Sequence, residues 1–169
     1  MAGKSTILVI LTGGTIDGYV FPGARPRNKQ SHVKNFLKRL KLHEKFQFVA
    51  ACAKDSRELT DKDRMKIASL IRKSPSDRIL VTHGTHTMAT TGRYLEKQLG
   101  KTGKTVVLTG SLVPFSEPFS DAEFNLGYAL RAIQLLNSGV YICMSGKIFK
   151  PRKAYKDGKK RIFDELRFL

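Results

Sequence analysis

The chain alternates short, unbroken apolar runs with longer stretches in which apolar residues recur at every third or fourth position. Ile7-Leu8-Val9-Ile10-Leu11 is one such run, and it ends at Gly13-Gly14, the pattern of a strand buried on both faces. A helix is predicted next, with Ser31 at its N-cap and Val33, Phe36, Leu37 and Leu40 at helical spacing. Residues 46–52 read as a second strand. Thr60-Asp61-Lys62-Asp63 then resembles a capping box, and Met65, Ile67, Ala68 and Ile71 supply the buried stripe of the next helix. Ile79-Leu80-Val81 forms a third strand, followed by a His83-Gly84-Thr85 loop and a helix over residues 87–99 that Gly100 closes. A fourth strand covers residues 105–108. Ser120 or Asp121 caps a helix running to Leu136, and residues 140–144 form a fifth strand after Gly139.

Five strands alternating with four helices predict an α/β fold, a three-layer, doubly wound, mostly parallel sheet with helices on both faces. At 169 residues the chain suits a single domain with a real core. Periodicity is lost from Lys147, so residues 147–169 are expected to be a basic C-terminal arm, a loop or extended segment. In sheets of this kind ligands bind at the carboxyl ends of the strands, near the topological switch point.

Composition adds bounds. Hydrophobic residues make up 41% of the chain, a globular content. No apolar run approaches the roughly 18 residues of a membrane helix, and the run at residues 7–11 is too short for a secretory leader. Cys52 and Cys143 stand far apart in apolar stretches without metal or CxxC spacing, which predicts buried thiols in a reducing compartment. A cytoplasmic protein with no metal or other cofactor and no membrane partner is expected. Charge is the outlier: 31 Lys+Arg against 14 Asp+Glu give a formal +17. Such a field attracts polyanions, yet no recognised nucleic-acid-binding motif accompanies it. Non-specific attraction to nucleic acid is what charge alone implies, and a merely lysine-rich surface is the alternative.

Candidate chemistry lies in three strand-end loops: residues 12–17 (Thr-Gly-Gly-Thr-Ile-Asp), residues 82–88 (Thr-His-Gly-Thr-His-Thr-Met) and residues 109–114 (Thr-Gly-Ser-Leu-Val-Pro). Paired glycines let backbone approach a ligand and leave N–H groups for an oxyanion. A threonine hydroxyl is a nucleophile only where another group removes its proton. The first loop lacks the third glycine of a dinucleotide fingerprint. Gly3-Lys4-Ser5 imitates the end of a phosphate-binding loop but precedes the first strand instead of following one.

The same loops resemble the L-asparaginase family. Thr12 to Ile16 reproduces its T-G-G-T-I signature, and residues 83–88 reproduce H-G-T-D-T-M with one substitution. Gly110-Ser111 and then Ser120-Asp121-Ala122-Glu123-Phe124-Asn125-Leu126 resemble its third motif. The match runs through the family's N-terminal domain. It implies Thr15 as nucleophile, Thr85 as second catalytic threonine and Lys156, aligned by spacing from Met144, as the lysine supporting Thr85. Ser56 matches the serine that holds the substrate's α-carboxylate; Arg57, Gly14, Gly84 and Ser111 are the other candidate substrate-binding positions. Tyr19 is the tyrosine nearest to the family's mobile-loop tyrosine, and it falls earlier than the pattern places one. A Thr-Lys pair can take a hydroxyl proton, and attack on a side-chain amide makes an oxyanion for the glycine loops.

Two departures stand out. His86 replaces the family's aspartate, which grips the substrate's α-ammonium, and a histidine does not pair with an ammonium group. Three readings stay open: a shift to an amide or ester lacking a free α-amino group or carrying an extra anion, a new acid–base role for His86, or a ligand pocket without catalysis. The family pattern also continues into a C-terminal domain beyond the span of this chain. A homo-oligomer, a separate chain or an open site follows from that. The resemblance therefore implies an amidohydrolase for a small-molecule amide such as asparagine. A catalytically impaired ligand-binding domain is the first alternative and a polyanion- or RNA-associated module the second.

Overall fold

The computed structural model describes residues 6–26 and 30–166. Gly3-Lys4-Ser5 and the last three residues of the expected arm lie outside the described residues. Strand β1 (Thr6–Gly13) is followed by a 3-10 turn (Thr15–Asp17), helix α1 (His32–Arg39), β2 (Lys45–Lys54) and a second 3-10 turn (Ser56–Glu58). Then come α2 (Asp61–Lys73), β3 (Arg78–Thr82), α3 (Met88–Leu99), β4 (Thr105–Thr109), α4 (Ala122–Leu135) and β5 (Gly139–Met144). Three short strands follow: β6 (Lys147–Phe149), β7 (Ala154–Asp157) and β8 (Ile162–Glu165).

The main sheet has the order β2-β1-β3-β4-β5-β6, with the first five strands parallel and β6 antiparallel to β5. Side chains alternate between its faces because a strand repeats every two residues. Leu8 and Ile10 of β1, Ile79 and Val81 of β3, and Val106 and Leu108 of β4 pack with Ile67, Ala68 and Ile71 of α2 and Leu95 and Leu99 of α3. On the other face Ile7, Val9, Leu80 and Val107 meet Val33 and Leu37 of α1 and Leu126, Ala129 and Ile133 of α4. The expected doubly wound α/β architecture is therefore present, and its five parallel strands match the five predicted runs. No helix among the described residues is long and apolar enough to cross a membrane.

Local chemistry sets the helix starts. Ser31 Oγ accepts from Lys34 N, and Thr60 and Asp63 form the reciprocal capping box. Asp121 stands at the N-cap of α4, but its carboxylate accepts from the N–H groups of Leu112 and Val113 instead of capping the helix; Ser120 Oγ takes Ala122 N.

The tail, expected as a loop or extended basic arm, instead forms three short paired strands. Strand β6 completes the main sheet, and β7 and β8 pair antiparallel as a separate hairpin. Phe149, Ala154 and Phe163 are buried in the α2–α3 side of the core, with the Phe149 and Phe163 rings 6.3 Å apart. The hairpin was illegible as periodicity because four residues give only two positions per face.

Candidate functional site

Strand order reverses at β1, whose neighbours β2 and β3 lie on opposite sides, so the loops leaving β1 and β3 open the crevice expected of doubly wound sheets. Thr12 Oγ1 donates to the Thr82 carbonyl at 2.8 Å and ties these strand ends together. Gly14 has φ 76° and ψ 178°, a conformation essentially confined to glycine. A β-carbon there would lie 2.4 Å from Gly84 N, and one on Gly84 would lie 2.7 Å from the Ser56 side chain. The first two motifs thus meet backbone to backbone, with the Ser56 side chain against Gly84, and only hydrogen at these two α-carbons permits it.

Thr15 starts the 3-10 turn immediately after Gly14 and is half-buried; its hydroxyl makes no hydrogen bond among the described residues. Thr85 is buried, and Lys156 Nζ donates to its Oγ1 at 2.9 Å. Lysine reaches it because Lys156 shares a face of β7 with buried Ala154 and pairs in register with buried Phe163. Burial holds the Lys156 amine below the ordinary lysine range; Arg57 and Arg161 push the same way, and Asp55 opposes them. A lysine so placed loses its proton more readily than a free one.

His86 lies at the exposed rim and lines an open recess of about 480 Å³ with Leu112, Lys156, Gly158 and Arg161. Partial desolvation, then the charges of Lys156 and Arg57, keep its imidazole below the usual histidine range, against the pull of Asp55. Arg57 itself clamps Asp55 through Nε at 2.8 Å and Nη2 at 3.2 Å, and Nη2 also donates to the Val20 carbonyl at 3.1 Å.

Several expected roles are placed elsewhere or already occupied. Tyr19 packs on Gly13 and lines a different recess, beside α1, that shares no wall with the His86–Lys156 recess. Ser111 is buried and donates to the carbonyl of Val113 at 2.5 Å within its own loop. The Gly14 N–H donates to the Lys54 carbonyl at 3.0 Å and so is not available to an oxyanion. Ser56 Oγ accepts from Thr87 N at 3.4 Å and Thr87 Oγ1 donates to the Ser56 carbonyl at 2.7 Å, which locks the start of α3 against this corner. Arg161 and Asp55 are charged residues that motif reading missed. The Asp157-Gly158 step is a turn signal that places Arg161 in the loop after Lys156. Among the described residues no cluster of three or more His, Cys, Asp or Glu side chains could hold a metal ion.

Against known proteins, residues 6–162 match the family described as the asparaginase N-terminal domain. The chain is 42% identical over 72 residues to the L-asparaginase of Thermococcus kodakarensis, covering 43% of this chain and 22% of that protein. It is 32% identical over 139 residues to L-asparaginase 1 of Escherichia coli K12, covering 75% and 40% respectively. The solved structure of the thermostable Thermococcus kodakarensis enzyme superposes with a TM-score of 0.79 at 27% identity, over 97% of this chain and 52% of that one. The chain thus spans about half or less of the length of these relatives. With both strand-end motifs juxtaposed and the match running through almost every described element, the chain belongs to the asparaginase family and corresponds to its N-terminal domain.

Proposed function

We propose that the protein is an amidohydrolase for a small-molecule amide, with Thr15 as nucleophile and the Thr85–Lys156 pair as its proton relay. The observation that carries this reading is the 2.9 Å hydrogen bond from Lys156 Nζ to Thr85 Oγ1, made by a lysine whose proton affinity its surroundings lower. A neutral Lys156 draws the Thr85 proton, and the hydroxyl so polarised assists attack on the amide. Supporting it are the Thr15 hydroxyl, without a hydrogen bond among the described residues and on a turn pressed against the Thr85 loop, and relatives named as L-asparaginases. A homo-oligomer whose second copy walls the open recess belongs to the same reading, because excluding water strengthens every charge interaction there.

The test is ammonia release from asparagine, glutamine and N-acylated forms. Thr15→Ala is expected to abolish release, a loss of at least about a thousandfold, and an unchanged rate would remove Thr15 from the mechanism. The openness of the recess favours a second reading, a ligand-binding domain without turnover. It predicts thermal stabilisation by bound amide with no ammonia from any of them.

A further inference from the structure

The recess beside Thr85 has a one-signed lining. Of its walls His86, Leu112, Lys156, Gly158 and Arg161, none is acidic; Arg161 is a permanent cation, and Lys156 adds a second positive charge in its protonated form. Arg57 acts through space on both His86 and Lys156 in the sense of a nearby positive charge, and Asp55 is the one carboxylate that acts on both in the opposite sense. Asp55 is committed elsewhere: Oδ1 accepts from Arg57 N and Nε at 2.8 Å each, Oδ2 accepts from Nη2 at 3.2 Å, and the side chain is 3% exposed. An ammonium group entering the recess would meet the positive charge of Arg161 and find no free carboxylate among the described lining residues, whereas a carboxylate would meet complementary charge.

We propose that the substrate is a carboxylate-bearing amide with no ammonium group beside the carboxylate, and that Arg161 and His86 determine this specificity. The proposal rests on the amidohydrolase reading for the fate of the amide. With succinamate, which is asparagine without its amino group, Thr15 Oγ adds to the amide carbon. The C–N bond breaks, and ammonia leaves with the hydroxyl proton. Water then cleaves the resulting ester, which yields succinate and restores the threonine.

The experiment measures kcat/KM for succinamate and L-asparagine in the wild type, Arg161→Gln, Arg161→Lys and His86→Asp, with binding of both compounds followed by isothermal titration. The wild type is expected to prefer succinamate by about tenfold or more. Arg161→Gln loses most of that preference, Arg161→Lys retains it because the charge remains, and His86→Asp moves it toward asparagine. Equal use of the two amides, a preference for asparagine, or a ratio that Arg161→Gln and His86→Asp leave unmoved overturns the proposal. Binding separates the two ideas. If no protein turns over either compound but succinamate binds more tightly in an Arg161-dependent way, the amidohydrolase reading fails and the assignment of the recess holds. If asparagine then binds as tightly, the assignment fails as well.

Discussion

An amine accepts a hydroxyl proton only where its own proton is easily lost, and Lys156 meets that condition through burial first and through Arg57 and Arg161 second. Removing one of those cations makes the ammonium form more favourable, so Arg161→Gln raises the Lys156 pKa. If the neutral amine is the working form, the ascending limb of kcat/KM against pH moves to higher pH in that variant; an unmoved limb would take Lys156 out of the relay. His83 titrates in the opposite context. It is fully buried, its Nδ1 bonds the Gly84 carbonyl at 2.7 Å, and its Nε2 has no partner among the described residues. Burial pushes its pKa down from 6.5 to about 4. The unfolded chain therefore takes up this proton at higher pH than the folded one. Stability is fully present above pH 6.5 and falls as pH drops toward about 4, by on the order of 2–3 kcal/mol. His83→Asn, which keeps a donor toward Gly84, is expected to flatten that slope in urea titrations run across the interval. The motifs made Thr15, Thr85 and His86 legible one by one. What they left out were Arg161, brought to the recess by the turn after Lys156, and Asp55, whose burial and pairing with Arg57 spacing alone does not mark.

Elements divide by length in how far they could be read. The long β1 run and the capped α1 and α2 were visible because many positions repeat one period and the caps lie adjacent in sequence. The tail was not, since its three strands are only 3, 4 and 4 residues long. Their anchors are Phe149 and Phe163, packed against each other and into the core laid down by α2 and α3. Phe149→Ala should thus cost about 3–5 kcal/mol. It should also weaken catalysis in the folded fraction, because Phe163 opposite Lys156 loses its support. Urea midpoints with unchanged slope would give the first effect, and active-fraction-corrected kcat/KM the second. A loss below about 1 kcal/mol would mean the tail packs as loosely as its sequence implied.

On the scale of the whole molecule, a formal charge of +17 is a self-repulsion that solvent ions screen. Raising sodium chloride from about 0.05 to about 0.5 M is expected to raise Tm by roughly 3 °C, or about 1 kcal/mol, in differential scanning calorimetry. A Tm that falls with salt would show that attractive ion pairs outweigh the net charge. The same charge carries no specificity: association with RNA should fall steeply as salt rises, without preference among sequences. By itself the sequence determined the alternation of strands and helices, the capped helix starts, the family's two strand-end signatures and the identity of the candidate threonines, because each is encoded by residues close together in the chain. Only the tertiary structure decided which groups meet. Lys156 reaches Thr85 across 71 positions, Gly14 touches Gly84, Asp55 is held by Arg57, Tyr19 lines another recess, and the recess at His86 has Arg161 and no acidic residue in its lining. Those outcomes are set by strand order, by the register of a short hairpin and by which side chains burial forces inward, and no local pattern holds that information.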